Sequence, residues 1–152
     1  MKRLIYLILT FIPLFAFSQK QDSIPFVGAT KIIIKNDKSA EDNYQIAAKT
    51  LLDQNYTIEK SDKEFHQLYS GSVKVFGEGT TRWVSLYVLS RDGSITIVGR
   101  AKRTEQLQLI NVPKDTDNFE TLPYKKNLLL KNIFAQTTAY AKSIGGKIIY
   151  SE

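Results

Sequence analysis

The sequence contains no cysteine and only one histidine, one methionine and one tryptophan. Without cysteine the chain can form neither disulfides nor thiolate zinc sites, and it has no acceptor for the lipid of a bacterial lipoprotein. A metal centre would rest on His66 and carboxylates alone, so we predict no metal and no other cofactor. The net charge of +6 comes from scattered residues rather than from basic clusters interleaved with aromatics, which argues against nucleic acid as a partner.

A short apolar run near the N-terminus predicts an export signal. A positively charged start is followed by the uncharged residues 4–17, a run of about fourteen residues where a membrane-spanning helix needs roughly twenty. Ala16 and Ser18 then precede a switch to polar sequence, the pattern that signal peptidase cleaves. We therefore expect a cleaved signal peptide at 1–18 and a single domain at 19–152. The mature protein would be periplasmic or secreted, with neither a lipid anchor nor a stable membrane span.

Strand and helix patterns alternate along the rest of the chain. Ser39 is a suitable N-cap for a first helix, and Asn55 is a suitable left-handed terminator for it. The β-rich runs and the helical apolar spacings predict strands at 30–35, 56–60, 64–76, 82–90, 94–103 and 147–150, and helices at 40–54 and 125–143. This order predicts an α+β domain in which a curled antiparallel sheet carries both helices on one face.

The clearest local signal is a β-hairpin that turns at Asp92 and Gly93, because glycine supplies the positive φ that a tight turn requires. A two-residue loop would leave Trp83 and Tyr87 on the face opposite the apolar residues, near Arg100. A three-residue loop would bury both rings instead, since a slip of one residue moves every side chain of a strand to the other face. We favour the two-residue loop.

Several segments of the chain resemble a known group of proteins. Ser-Ala-Glu-Asp at 39–42, the helix end at 51–56, Ser-Asp-Lys-Glu at 61–64 and the Asp-Gly turn are similar to small exported proteins of unknown function from Bacteroidetes. The resemblance covers residues 30–103 and implies a TATA-binding-protein-like or helix-grip domain. It implies no catalytic motif, so no functional residue follows from it.

The single histidine, His66, is predicted on the long strand at 64–76. Its neighbours Ser70 and Ser72 would share its face, but residues two apart on a strand are separated by roughly 7 Å. No carboxylate stands at short spacing, and the serines lack the G-x-S-x-G frame of a hydrolase. The apolar side of this strand would consist of Phe65, Tyr69, Val73 and Val75. We therefore assign His66 a structural role and expect the protein not to be an enzyme.

Two functions of different kinds are compatible with these residues. In the first, the protein is a non-catalytic envelope protein that docks another protein through a patch of Trp83, Tyr87 and Arg100. Tryptophan, tyrosine and arginine are the residue types that anchor protein interfaces.

In the second, the protein carries a small apolar ligand between its second helix and the sheet. The long segment at 104–124 would gate this pocket, with Phe119, Leu122 and Tyr124 as its lid.

Overall fold

A computed structural model describes residues 21–77, 80–102 and 119–152. The predicted signal peptide and most of the 104–124 segment lie outside these ranges. Within them the chain has an α+β fold, an open antiparallel sheet of nine strands with two helices. The strands are β1 (Gln21–Asp22), β2 (Lys31–Lys35), β3 (Ile58–Asp62), β4 (Gln67–Ser70), β5 (Val73–Gly77), β6 (Thr80–Arg91), β7 (Ser94–Lys102), β8 (Phe119–Thr121) and β9 (Lys147–Ser151). The helices are α1 (Ala40–Asp53) and α2 (Leu128–Ile144).

The long β6–β7 hairpin is the centre of the sheet. The strand order across it is β1-β9-β2-β7-β6-β4-β3. Beyond this path β8 pairs with β7 and β5 pairs with β6, and all of these pairs are antiparallel. Each hairpin strand is therefore long enough to hold different neighbours along its length.

The hairpin has the predicted two-residue loop. Arg91 pairs with Ser94 across the turn, and Gly93 has a φ of +70°. Val84 pairs with Ala101 and Val88 with Ile97, all buried under the helices. The predicted register is confirmed, and it places Trp83 on the other face of the sheet.

Both helices pack on the same face of the sheet. Buried residues from both helices, among them Ala47 and Phe134, form one core with the isoleucines of β2 and β7, which are Ile32, Ile34, Ile95 and Ile97. The fully buried Tyr140 of α2 donates a hydrogen bond from its hydroxyl to the carbonyl oxygen of Ala47 in α1, at 2.8 Å. This bond links the two helices directly, so the placement of both helices on one face, as predicted, is confirmed.

The predicted helix ends agree with the structure to within a few residues. Ser39 caps α1, and its hydroxyl accepts a hydrogen bond from the Asp42 amide at 3.1 Å. Asn55, just beyond this helix, has a φ of +61°. Gly145 follows α2 with a φ of +81°. Helix boundaries were predictable because caps and terminators act within a few residues.

The prediction of one strand over 64–76 was wrong. Residues 63–66 form the turn between β3 and β4, and the extended segment that follows is divided into β4 and β5. Gly71 lies at the division, where its amide bonds the Thr57 carbonyl at 2.8 Å. A Cβ at Gly71 would collide with Thr57 Oγ1. Only glycine, which has no Cβ, lets the backbone approach Thr57 this closely.

This division shifts the register by one residue and changes the face of every side chain that follows it. Tyr69 pairs with Tyr87, whereas Val73 pairs with Val84. The sheet is thus bulged between β4 and β5. Tyr69 consequently faces away from the helices while Val73 and Val75 face toward them, and Phe65 is 60% exposed in the turn. The predicted common apolar side of these four residues is therefore incorrect.

Candidate functional site

The sheet face opposite the helices, here called the open face, carries a cluster of rings and cations. We call this cluster the aromatic–cation patch, and its members are Tyr69, Trp83, Tyr87, Phe119, Lys60, Lys74 and Arg100. Trp83 is 42% exposed although it lies within β6, the longest of the described strands. Lys74 pairs with Trp83 across β5 and β6, and its Nζ lies 4.9 Å from the centre of the indole ring.

Arg100 lies between two aromatic rings. Its guanidinium carbon is 5.7 Å from the centre of the Tyr69 ring and 5.3 Å from that of Phe119. Tyr69 on β4 pairs with Tyr87 of β6, whereas Arg100 on β7 pairs with Ser85, two residues before Tyr87. The arginine side chain therefore reaches the Tyr69 ring diagonally across β6, on the side of the small Ser85. Ser85 is buried beneath this arrangement.

The two tyrosines of the patch are in contact, with ring centres 4.9 Å apart. Burial raises the pKa of Tyr87 above its usual value, and the neighbouring Tyr69 raises it further, while the charge of Arg91 acts in the opposite direction. The Tyr87 phenol is therefore neutral at physiological pH and able to donate a hydrogen bond.

The open face has a strong excess of positive charge. Strand registers align the side chains of Lys31, Lys35, Lys60, Lys74, Arg91, Arg100 and Lys147 on this face. Among the strand residues whose side chains the structure describes, Asp62 is the acidic residue aligned with them. Its carboxylate already accepts a hydrogen bond from the Phe65 amide at 3.0 Å. The face is therefore complementary to an anionic surface.

The three residues of the predicted patch lie together. Trp83, Ser85 and Tyr87 alternate along one side of β6, and Arg100 pairs with Ser85. The prediction missed Tyr69 and Lys74, which join the patch from β4 and β5. The placement of Lys74 on the same face as Tyr69 depends on the bulge at Gly71, a tertiary feature with no local sequence pattern beyond the glycine itself.

The three residues of the predicted lid do not share one site. Phe119 lies on the open face beside Arg100. Leu122 instead packs on the helix side in a small cluster with Leu129 and Ile133. Tyr124 also lies on that side, with its ring centre 5.1 Å from that of Phe134.

A separate groove of about 400 Å³ follows the outer side of α2. Tyr124, Phe134 and Tyr150 line one part of it, and Ala135 and Ala139 of α2 line another. This groove lies outside the helix–sheet interior, which is the region where the sequence predicts a ligand pocket.

His66 lies in the β3–β4 turn and not on a strand, with a φ of +51°. Its Nε2 is 3.3 Å from a carboxylate oxygen of Glu41 in α1, and its ring meets Tyr44 edge to face at 5.9 Å between centres. The expectation of a histidine with no nearby carboxylate was therefore wrong. In the fold His66 joins the turn to the start of α1.

The serines near His66 do not form a catalytic relay with it. Ser90 donates its amide to the His66 carbonyl at 2.9 Å, but its buried hydroxyl makes no hydrogen bond. The Ser70 hydroxyl accepts the Leu86 amide at 2.8 Å, a structural bond beside the bulge. A nucleophilic serine needs a base within hydrogen-bond reach. In the part of the chain that the structure describes, no group of three or more His, Asp or Glu residues is placed to hold a metal ion.

Fold and site together define an α+β protein with an open, cation-rich and partly aromatic sheet face. No protein-family model matches the sequence, and no curated protein matches it. Over residues 21–77, 80–102 and 119–152, neither helix is both long enough and apolar enough to cross a membrane.

Proposed function

We propose that this protein is an exported, non-catalytic envelope protein that docks another protein on its open sheet face. The observation that carries this proposal is the exposure of Trp83 within an ordered set of rings and cations. A few residues carry most of the binding energy of a protein interface, and tryptophan, tyrosine and arginine are enriched among them. Contiguous exposed apolar groups mark interaction sites, and the 42% exposed Trp83 shares its sheet face with the contacting rings of Tyr69 and Tyr87.

Cation–ring contacts within the patch restrict its long side chains without a partner. Lys74 is held over Trp83, and Arg100 is held between Tyr69 and Phe119. Association normally requires such long side chains to lose rotamer freedom, at about 0.5–1.5 kcal/mol each. Contacts that already restrict them reduce that cost, which suits a docking surface.

The export and family parts of the proposal rest on the N-terminal sequence and on the topology. Residues 1–18 have the composition of a cleaved signal peptide, which would place the mature protein in the periplasm or outside the cell. Two helices on one face of an antiparallel sheet are compatible with a TATA-binding-protein-like or helix-grip arrangement, as in the Bacteroidetes proteins that the sequence resembles. The intact mass of the exported protein tests the first point.

Site-specific photo-crosslinking in the native envelope tests the docking surface. A benzophenone amino acid at position 83 should give one dominant adduct with another protein. The matched control is the same probe at Leu52, which is 57% exposed on α1 and lies on the opposite side of the domain. The proposal fails if positions 83 and 52 give the same set of adducts, or if position 83 gives none.

The groove along α2 supports a second candidate, a carrier of a small apolar ligand. Its walls combine aromatic rings with alanines, and Lys131 and Lys142 lie at its borders. If this reading is correct, a fluorescent fatty acid should bind, and Ala139→Trp should abolish binding by filling the groove. Gln136→Trp adds the same bulk to α2 at an exposed position that does not line the groove, and it should have no effect. Equal binding by both variants would exclude the groove as the site.

A further inference from the structure

We infer that Arg100 is the anchor of the aromatic–cation patch, and that it binds a carboxylate of an acidic segment of the docked protein. This inference rests on the proposed function, because it assigns a partner chemistry to the same surface. Its basis is the position of Arg100, the absence of a hydrogen bond from its side chain to the described residues, and the charge of the surrounding face.

Arg100 contacts two aromatic rings and forms no ion pair with the described part of the chain. Its guanidinium lies between the rings of Tyr69 and Phe119, at 5.7 and 5.3 Å from their centres. Across the described ranges of the chain, no carboxylate lies within salt-bridge distance of it and no hydrogen bond from its side chain is formed. Ring contacts engage the flat faces of a guanidinium and leave its N–H groups, which lie at the edge of the plane, able to bind another group.

The ligand suited to these donors is an anion with two oxygens in a plane. The five N–H donors of arginine form a rigid fork that matches a carboxylate in a bidentate manner. The low acidic content of the open face means that little within the described chain competes for this position. Lys60 and Lys74 on the neighbouring strands extend the positive surface, so a segment with several acidic residues fits better than one isolated carboxylate.

The arrangement of the rings favours an acidic polypeptide over a nucleic acid. Proteins that bind single strands use aromatic faces on which bases stack. Here cations lie over the rings of Tyr69, Trp83 and Phe119. A base would have to displace these cations before it could stack, whereas a carboxylate binds to them where they are.

The test uses the sole tryptophan as the reporter, because Trp83 belongs to the patch. The mature chain is titrated with an oligoglutamate peptide while Trp83 fluorescence is followed. Arg100→Lys keeps the charge and most of the aliphatic stem but removes the planar fork, and it should weaken binding by about tenfold or more. Arg100→Ala should weaken it at least as much. Lys49→Ala, which removes an exposed charge from α1, is the matched control and should leave affinity unchanged.

Three outcomes contradict the inference. Failure of the parent chain to bind oligoglutamate would overturn it. Equal losses of affinity in Arg100→Ala and Lys49→Ala would show that oligoglutamate binds through general charge attraction. Tighter binding of oligodeoxythymidylate than of oligoglutamate would replace the acidic segment with a nucleic acid. Equal urea midpoints for Arg100→Lys and the parent chain confirm that a loss of binding is not a loss of folding.

The two proposals fail separately. If position 83 crosslinks one protein in the envelope but the binding of oligoglutamate does not depend on Arg100, the docking proposal is supported and the carboxylate anchor is refuted. If oligoglutamate binding depends on Arg100 but position 83 crosslinks no protein, the anion site stands and docking of a protein falls.

Discussion

Replacing Gly99 with alanine should push helix α2 away from the sheet. Gly99 lies in β7, and a Cβ added there would be 2.8 Å from Oγ1 of Thr137 in α2. Thr137 cannot easily move aside, because it is only 2% exposed and its hydroxyl donates to the Ile133 carbonyl at 3.0 Å. Overpacking of this kind costs about 1–3 kcal/mol.

A second effect of the same substitution acts in the opposite direction. Replacing glycine by alanine reduces the conformational freedom of the unfolded chain, which stabilises the folded state by about 0.4–1 kcal/mol where the backbone allows it. The φ of Gly99 is outside the positive range that favours glycine, so this gain applies. The expected net loss in the free energy of unfolding is therefore about 1–2 kcal/mol.

The steric explanation predicts that the effect of Gly99→Ala depends on Thr137. In a Thr137→Ala background the Oγ1 contact is gone, and the atom of that residue left near the new Cβ is its own Cβ at 3.9 Å, an ordinary contact distance. There Gly99→Ala should be neutral or should stabilise by up to about 1 kcal/mol. The coupling between the two sites is then about 1–3 kcal/mol.

Urea unfolding followed by circular dichroism measures all four members of this cycle, with the midpoint compared at constant m value. Gly145→Ala is the control for backbone strain, because Gly145 has a φ of +81° and an added Cβ would meet nothing within 4 Å. It should cost about 1–3 kcal/mol in both backgrounds. If Gly99→Ala costs the same with Thr137 or Ala at position 137, the contact is not the cause and the reasoning is refuted.

Two further perturbations test the buried polar groups. Asn43→Ala should lower the free energy of unfolding by about 1–3 kcal/mol. The reason is that the buried Asn43 amide donates to the Arg91 carbonyl at 2.9 Å and links α1 to the central hairpin. In the same urea assay the control substitution at the exposed Gln45, Gln45→Ala, should change the free energy of unfolding by less than about 0.5 kcal/mol. Burial raises the pKa of Tyr140 above its usual value, with a further increase from Tyr56, so the stability gained by keeping its phenol neutral is present below about pH 10 and is lost as the pH rises beyond that. Tyr140→Phe should therefore lower the free energy of unfolding by about 1 kcal/mol at neutral pH through the lost hydrogen bond. It should also flatten the decline of that free energy at alkaline pH. An unchanged slope of the free energy of unfolding against alkaline pH would contradict this.

Local signals predicted the parts of the fold that local contacts determine. The Ser39 cap, the left-handed Asn55 and the Asp92-Gly93 turn each act within a few residues, and the structure confirms the elements built on them. The register of the hairpin also followed from its turn, which is why Trp83 and its neighbours on β6 were correctly placed on one face.

The segment around Gly71 was not predictable in the same way. Its alternation of apolar residues over 64–76 is compatible with one continuous strand. The bulge depends on the approach of Thr57, which is distant in sequence and has no effect on the pattern. The same limitation hid Tyr69 and Lys74 from the predicted patch, since both reach the open face only through pairing with β6.

The bulge at Gly71 determines which residues of β4 and β5 face outward in the aromatic–cation patch. On the β4 side of it odd-numbered residues face outward, as Tyr69 does, and on the β5 side even-numbered residues do, as Lys74 does. The bulge inserts one extra residue opposite β6. In a regular strand of the same length Lys74 would turn toward the core and Val73 and Val75 toward solvent, while Tyr69 kept its place. The extra residue thus makes the second half of this surface charged rather than apolar.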